Sequence, residues 1–240
     1  MVFYSMACYN RKKFKKVKNM INKIRNYFAQ RAQIQHDNYM RKRGKAYAKT
    51  TKDIPSGATI FFGDSITELC QLEDFYSDFS KQTGSALINR GISGESTLTM
   101  TERFVSNVCD AKPRNLVMLM GVNDIATNRM PKKINENIFS MIDEIRKLSP
   151  DTNVVLQAIY PVDEKRVNSS VLAARGNKVI REANAIIEKT AKEKGVTFID
   201  LTKELSDENG VLIEEYSDDG LHMNANSYKV ISKNIIPLLK

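Results

Sequence analysis

Ala58-Thr59-Ile60-Phe61-Phe62-Gly63-Asp64-Ser65 is the stretch of sequence that decides the fold. Its first part is a short apolar run, which is typical of a strand buried on both faces. Gly63 marks the point where such a strand gives way to a helix. A serine in the first turn of that helix holds its hydroxyl at the edge of a sheet, and its backbone N–H is one of the helix's unpaired donors. The stretch therefore predicts a strand followed by a helix, with Ser65 at the junction.

Further short apolar runs follow along the chain and alternate with longer amphipathic stretches. The predicted strands cover 58–62, 86–89, 116–120, 154–159 and 196–199, and the predicted helices cover about 71–82, 98–109, 133–148, 171–194 and 225–238. Continuous apolar strands separated by helices indicate a parallel sheet with helices on both faces. With right-handed crossovers, the sequence predicts a three-layer α/β/α sandwich of flavodoxin-like type around a five-stranded parallel sheet.

The positive charge is concentrated at one end of the chain. The 240 residues carry a net charge of +9. Residues 1–53 hold 15 Lys/Arg and two Asp/Glu, a net charge of +13, while residues 54–240 hold 22 and 26, a net charge of −4. We therefore expect a basic helical segment over 1–53 and a mildly acidic domain over 54–240. This asymmetry argues against a nucleic-acid platform formed by the whole domain.

The basic segment contains an apolar stripe at helical spacing. The stripe consists of Phe14, Val17, Ile21, Ile24 and Phe28, and a second helical stretch is predicted over about 30–48. Residues 11–30 could contact an anionic membrane surface, or the helix could pack on the domain or a partner and display its lysines to solvent. Nucleic acid is the least favoured partner.

No run of about 18 apolar residues predicts a membrane-spanning helix. The apolar stretch 1–9 precedes the basic cluster and is short for a signal peptide, so the default expectation is a cytoplasmic protein with room for peripheral membrane association. Cys8, Cys70 and Cys109 lack metal-ligand spacing and are expected to be reduced thiols, two of them buried.

Residues suited to acyl transfer follow four different predicted elements. Ser65 follows the first strand, 91–96 the second and 121–124 the third, while 219–222 lie beyond the fifth. Each segment alone has a structural explanation as a helix cap, a helix entry or a turn. Because ligands bind outside the carboxyl ends of parallel strands, all four in order predict one site.

His222 is one of only two histidines and is the expected general base. The other, His36, lies in the basic segment without a motif. Asp219, three residues before His222, can reach the imidazole and fix its tautomer, a spacing that favours it over Asp218.

Three donors could surround a developing oxyanion. They are the backbone N–H of Ser65, the N–H of Gly94 and the side-chain amide of Asn123. Neither a metal nor a cofactor is required by this set of residues.

These segments resemble the blocks of the SGNH/GDSL hydrolase family. Gly63-Asp64-Ser65 is similar to its nucleophile block, Gly94 to its glycine block, 121–124 to its asparagine block and 219–222 to its final block. The resemblance covers about residues 58–228. It implies Ser65 as the nucleophile, His222 as the base, Asp219 as the orienting carboxylate and the same three oxyanion donors. It also implies metal-independent ester hydrolysis through an acyl-enzyme.

The leading hypothesis is a serine esterase that removes small acyl groups, possibly acetyl, from a carbohydrate or another small ester. A lysophospholipase or other lipid acyl hydrolase is the alternative within the enzyme class, and the basic amphipathic segment would suit it. A binding protein without turnover, tethered by its basic helix, is the third hypothesis. The intact Ser65, Asp219 and His222 argue against it.

Overall fold

A computed structural model describes residues 2–240, with side chains from Met20 onward. By its contacts the chain divides into residues 1–42 and 43–240. The sequence-based boundary after residue 53 lies further along the chain. Within the second unit, the Tyr47 hydroxyl donates to the Gly91 carbonyl over 3.1 Å, and the Asn107 side chain donates to the Gly44 carbonyl over 3.2 Å. Residues 43–53 are therefore fixed to this larger unit.

The five predicted strands are present and form one parallel sheet. The strands are β1 Thr59–Gly63, β2 Leu87–Gly91, β3 Asn115–Leu119, β4 Asn153–Gln157 and β5 Thr197–Ile199, and their order is β2-β1-β3-β4-β5. All pairs are parallel. The predicted fold class is confirmed.

Nine α-helices lie in the described part of the chain, and four short 3₁₀ helices join them. The α-helices are α1 Val2–Thr50, α2 Ser65–Glu68, α3 Leu72–Thr83, α4 Thr97–Asn107, α5 Val122–Ala126, α6 Pro131–Leu148, α7 Ser170–Lys194, α8 Thr202–Leu205 and α9 Ala225–Ile235. The 3₁₀ helices are Thr51–Asp53, Cys109–Ala111, Glu214–Tyr216 and Ile236–Leu238. Of these nine, none combines the length and apolar character needed to cross a bilayer.

Two hydrophobic cores lie on opposite faces of the sheet. Along β1, Ile60 and Phe62 point into the core that includes α4, α6 and α7. Phe61, between them, points into the core that includes α3 and α9. Because both faces are covered, the middle positions of β1, β3 and β4 are consecutive apolar residues instead of alternating apolar and polar ones. Cys70 and Cys109 are buried free thiols, as predicted.

Three predicted boundaries differ from the structure for identifiable reasons. One helix, α1, replaces the two predicted helical stretches, since no glycine or proline interrupts the chain before Gly44. β4 ends before Ile159, whose backbone N–H and C=O both bond to the Asn184 side chain on α7. α9 gives way to a 3₁₀ turn at Pro237, which lacks a backbone N–H.

The apolar stripe predicted on α1 is described only in part. Ile21, Ile24 and Phe28 lie on the helix with exposed side chains. Phe14 and Val17 lie outside the residues whose side chains are described.

Candidate active site

Ser65 begins α2 immediately after β1. The backbone N–H of Ile66 donates to the Asp64 carboxylate over 3.0 Å, so Asp64 caps the helix. Gly63 is required by close packing, because a Cβ there would lie 2.2 Å from the Leu119 carbonyl oxygen. This absence of a side chain lets β1 run directly beneath the turn that carries Ser65.

A chain of hydrogen bonds joins the three residues predicted for proton transfer. His222 Nε2 lies 2.9 Å from Ser65 Oγ, and His222 Nδ1 lies 2.6 Å from Asp219 Oδ2. With the proton on Nδ1, this arrangement directs the lone pair of Nε2 at the Ser65 hydroxyl. The geometry can therefore move a proton from Ser65 to His222 without rearrangement.

The spacing between Asp219 and His222 is explained by a local turn. The other carboxylate oxygen of Asp219 accepts hydrogen bonds from the backbone N–H of Leu221 over 2.9 Å and of His222 over 2.8 Å. Partial burial alone would raise the pKa of Asp219, but these hydrogen bonds and the one from the imidazole lower it to about 2. Asp219 is thus ionised throughout the neutral range and is fixed against the imidazole. Asp218 beside it is exposed.

The loop after β2 and the helix α5 after β3 bring Gly94 and Asn123 to the same edge of the sheet. Gly94 has φ of +78°, a conformation that favours glycine. Among the described residues, neither the Gly94 N–H nor the Ser65 N–H finds an acceptor. The Asn123 amide donates to the Glu95 carbonyl oxygen over 3.0 Å, which leaves its second hydrogen free. Three donors are therefore available, and they are the Gly94 N–H after β2, the Ser65 N–H at the start of α2 and the Asn123 amide on α5.

The loop that carries Gly94 is held by a buried ion pair that the sequence analysis did not identify. Arg103 Nε lies 2.9 and 2.8 Å from the two carboxylate oxygens of Glu95. Its guanidinium also donates to the Arg90 carbonyl over 3.0 Å and lies over the Phe62 ring. Burial raises the pKa of Glu95, while the hydrogen bonds and charge of Arg103 act in the opposite direction. A pair eight residues apart follows no local spacing rule, so the sequence carried no signal for it.

The residue after Asn123, Asp124, is a second buried carboxylate near the site. Asp124 accepts from the Thr97 N–H and from the Thr97 hydroxyl, each over 2.8 Å. Arg129 Nε lies 3.0 Å from the same carboxylate. These contacts tie the first turn of α5 to the first turn of α4. Asn123 and Gly94 consequently belong to one rigid assembly.

Asp64 is buried beside the nucleophile position, and one of its oxygens finds no partner among the described residues. Burial raises its pKa to about 7, against the lowering effect of the Ile66 hydrogen bond and of His222. The folded protein thus holds a proton on Asp64 that the unfolded chain releases near pH 4. This carboxyl destabilises the fold progressively as the pH rises from about 4 to about 7.

We expect Asp64→Asn to remove this loss of stability. Asparagine keeps the oxygen that accepts from Ile66 and carries no charge. The free energy of unfolding of the variant, relative to that of the wild type, should therefore increase from pH 4.5 to pH 8, by about 1.4 kcal/mol for each unit of pKa shift within this range. Urea unfolding of both proteins at pH 4.5 and pH 8 measures these free energies. A difference between the two proteins that does not vary with pH would show that Asp64 is ionised in the folded state.

The structure brings the predicted residues Ser65, His222 and Asp219 into direct contact. Gly94 lies on the loop after β2 and Asn123 on α5 after β3, and these two strands flank β1. His36 lies on α1 in the first unit. Over the described residues, no group of three or more His, Cys, Asp or Glu side chains could hold a metal ion.

The chain is similar in sequence and fold to one protein family and to several solved structures. Residues 61–230 match the model of the GDSL-like lipase/acylhydrolase family. A Streptococcus pneumonia protein proposed to be a platelet activating factor is 25% identical, with a TM-score of 0.80 over 88% of this chain and 98% of its own. A GDSL-like lipase from Bacteroides thetaiotaomicron is 27% identical, with a TM-score of 0.68 over 81% and 97%. The lipase/acylhydrolase from Enterococcus faecalis is 25% identical, with a TM-score of 0.63 over 76% and 97%. A search of curated proteins gives no significant match.

Proposed function

The chain belongs to the GDSL-like lipase/acylhydrolase family and is a carboxylic ester hydrolase, and we propose that Ser65, His222 and Asp219 are its catalytic triad. The observation that carries this proposal is the continuous hydrogen-bond chain from Ser65 Oγ through the imidazole to the Asp219 carboxylate. Ser65 and His222 are 157 residues apart in the sequence. Local helix capping alone would not require that contact.

The proposed reaction has two steps. In the first, Ser65 Oγ attacks the ester carbonyl while His222 Nε2 takes the hydroxyl proton. The C–O bond to the alcohol then breaks, and His222 returns the proton to the departing oxygen. In the second, His222 takes a proton from water, the resulting hydroxide attacks the acyl-enzyme, and Ser65 recovers its proton as the acid leaves. Asp219 stabilises the imidazolium in both steps.

The proposed oxyanion hole consists of the N–H groups of Ser65 and Gly94 and the Asn123 amide. Two observations support this assignment. Each donor has a free hydrogen, and hydrogen bonds fix Glu95 and Asp124, which follow Gly94 and Asn123 in the chain. Donors fixed before the reaction begins need no reorganisation when charge develops on the carbonyl oxygen.

Asn123→Ala is expected to lower kcat by about 10²- to 10³-fold with a modest effect on KM, because one oxyanion donor is lost. Steady-state kinetics on a chromogenic ester measure both constants, and thermal unfolding checks the fold. The matched control is Asn226→Ala, at an exposed position on α9. Wild-type turnover from folded Asn123→Ala would assign Asn123 to a structural turn only.

For the substrate, we propose an ester of a small acyl group, possibly acetyl, with a carbohydrate or another small alcohol. The departing alcohol must lie next to His222, which protonates it. The side chains of His222 and Asp219 are 34% and 53% exposed. The alcohol side of the site is thus open to solvent, which suits a bulky polar alcohol.

A lipid acyl ester is the second candidate, and one observation favours it. The helix α1 carries exposed large apolar side chains, Ile24 and Phe28 among them, beside basic residues. An enzyme that works on lipid esters benefits from such a surface, whereas an enzyme for dissolved carbohydrate esters has no need of it.

Hydrolysis of p-nitrophenyl acetate, butyrate and octanoate separates these proposals. Highest kcat/KM on acetate supports the small-acyl substrate, and a rise toward octanoate supports the lipid ester. Activity on none of the three, from protein shown to be folded, would favour a binding role without turnover.

A further inference from the structure

The helix α1 presents an apolar face to solvent that the proposed esterase chemistry does not use. Its members share helical spacing and exposures of 44–63%, and they are Met20, Ile21, Ile24, Tyr27, Phe28 and Ile34. Scattered exposed apolar residues are common, but these six share one side of four helical turns, where only Arg31 stands between Phe28 and Ile34. We propose that this exposed apolar face of α1 docks on the surface of an anionic phospholipid bilayer. The proposal rests on the helix and not on the identity of the ester.

Charge complementarity selects an anionic surface. Residues 20–42 carry five Lys/Arg against one Asp/Glu, a net charge of +4. Lys23 and Arg25 flank the apolar face on its two sides at helical periodicity. Long basic side chains in this position place their methylene groups along the apolar boundary and their charges at the lipid headgroups.

The remaining side of the helix is polar. It includes Asn22, Asn26, Gln30 and Gln33, all exposed, and one acidic residue, Asp37, which accepts a hydrogen bond from the Gln33 amide over 2.8 Å. An apolar face, basic flanks and a polar opposite side are typical of a helix that lies in the plane of a membrane surface.

A second copy of the helix fits this face less well. A coiled-coil seam through Met20, Ile24 and Tyr27 would continue through Arg31, Ile34 and Asn38. Two of these six seam positions are polar. On a membrane surface Arg31 causes no such conflict, because it already reaches over the neighbouring Tyr27 ring, 5.8 Å from the centroid, and can extend to a headgroup.

Cosedimentation of the full chain with vesicles tests the proposal. One set of vesicles contains phosphatidylcholine alone, and the other includes about 30% phosphatidylserine. We expect binding to the second set only, with the partition coefficient falling as salt is added, because screening weakens the attraction between the helix and the headgroups. Equal binding to both sets, or binding to neither, would overturn the proposal.

Variants assign the binding to the proposed face. Ile24→Ser with Phe28→Ser should lower the partition coefficient by about 100-fold, and Lys23→Gln with Arg25→Gln by about 10- to 30-fold. The matched control is Ile186→Ser, which removes an apolar side chain exposed to 37% on α7 and should bind as the wild type does. Hydrolysis of p-nitrophenyl acetate should be the same in all of these proteins.

Two results would contradict this assignment. Wild-type binding by the Ile24→Ser, Phe28→Ser protein would place the lipid contact elsewhere on the chain. A lipid-free protein that self-associates in sedimentation velocity, and that becomes monomeric on these two substitutions, would assign the face to a second copy of the chain.

Discussion

Replacing Ser65 with alanine is expected to reduce kcat for p-nitrophenyl acetate by up to about 10⁶-fold, by analogy with serine hydrolases whose triads act as a unit. The side chain of His222 would then face a methyl group, so no proton transfer could generate a nucleophile. A small residual rate over water is expected to persist from the oxyanion donors and substrate binding.

Folding controls are needed, because Ser65 is buried at the first turn of α2. The variant should keep the circular dichroism spectrum of the wild type and a similar unfolding midpoint, since alanine fits the same position. Ser140→Ala, on an exposed part of α6, should leave the rate unchanged. Near-wild-type turnover by folded Ser65→Ala would remove Ser65 as the nucleophile.

Asp219→Asn is expected to lower kcat by about 10⁴-fold while leaving KM within a few-fold of the wild type. Asp219 accepts from His222 Nδ1 over 2.6 Å and so keeps the proton on that nitrogen. An asparagine amide could donate to Nδ1 instead, which would place the imidazole proton on Nε2 and point it at Ser65. In that tautomer Nε2 cannot accept the hydroxyl proton.

The chain offers a closely matched control in Asp218→Asn. The two aspartates are adjacent, both are exposed, and both substitutions remove one negative charge near His222. Only Asp219 bonds to the imidazole and to the backbone N–H groups of residues 221 and 222. Equal losses from the two variants would indicate a general effect of charge instead of a specific role for Asp219.

The sheet and the principal site residues could be predicted because their signals are local. β1, β3 and β4 each contain a run of consecutive apolar residues, which is typical of a strand buried on both faces. Ser65 and Asp219 lie in short segments, 63–65 and 219–222, whose residue types suit acyl transfer. Once the strands were assigned, the topology of a parallel sheet brought those segments to one edge.

The contacts that support the site could not be predicted in the same way. Glu95 and Arg103 read as ordinary charged residues, and only the packing of α4 on β1 shows that they form a buried pair. The contact between Thr97 and Asp124 joins residues 27 positions apart, on two different helices. Partners at such separations follow from the fold and not from spacing along the chain.

Two short helices are absent from the sequence-based assignment for another reason. α5 and α8 have five and four residues, fewer than an apolar period needs to become visible. The equally short α2 is predicted only because Ser65 follows a strand that ends at Gly63. The helical form of α5 is part of the site, because it fixes the position of the Asn123 side chain relative to the sheet.

The most direct test of the account is labelling by a fluorophosphonate probe followed by peptide mapping. The probe reacts only with an activated serine, and it requires no knowledge of the natural ester. We expect one equivalent of label per chain, on the peptide that contains Ser65, with no label on Ser65→Ala and strongly reduced labelling of Asp219→Asn. Label on a different serine, or none on the folded wild type, would contradict the claim that Ser65 is the activated nucleophile.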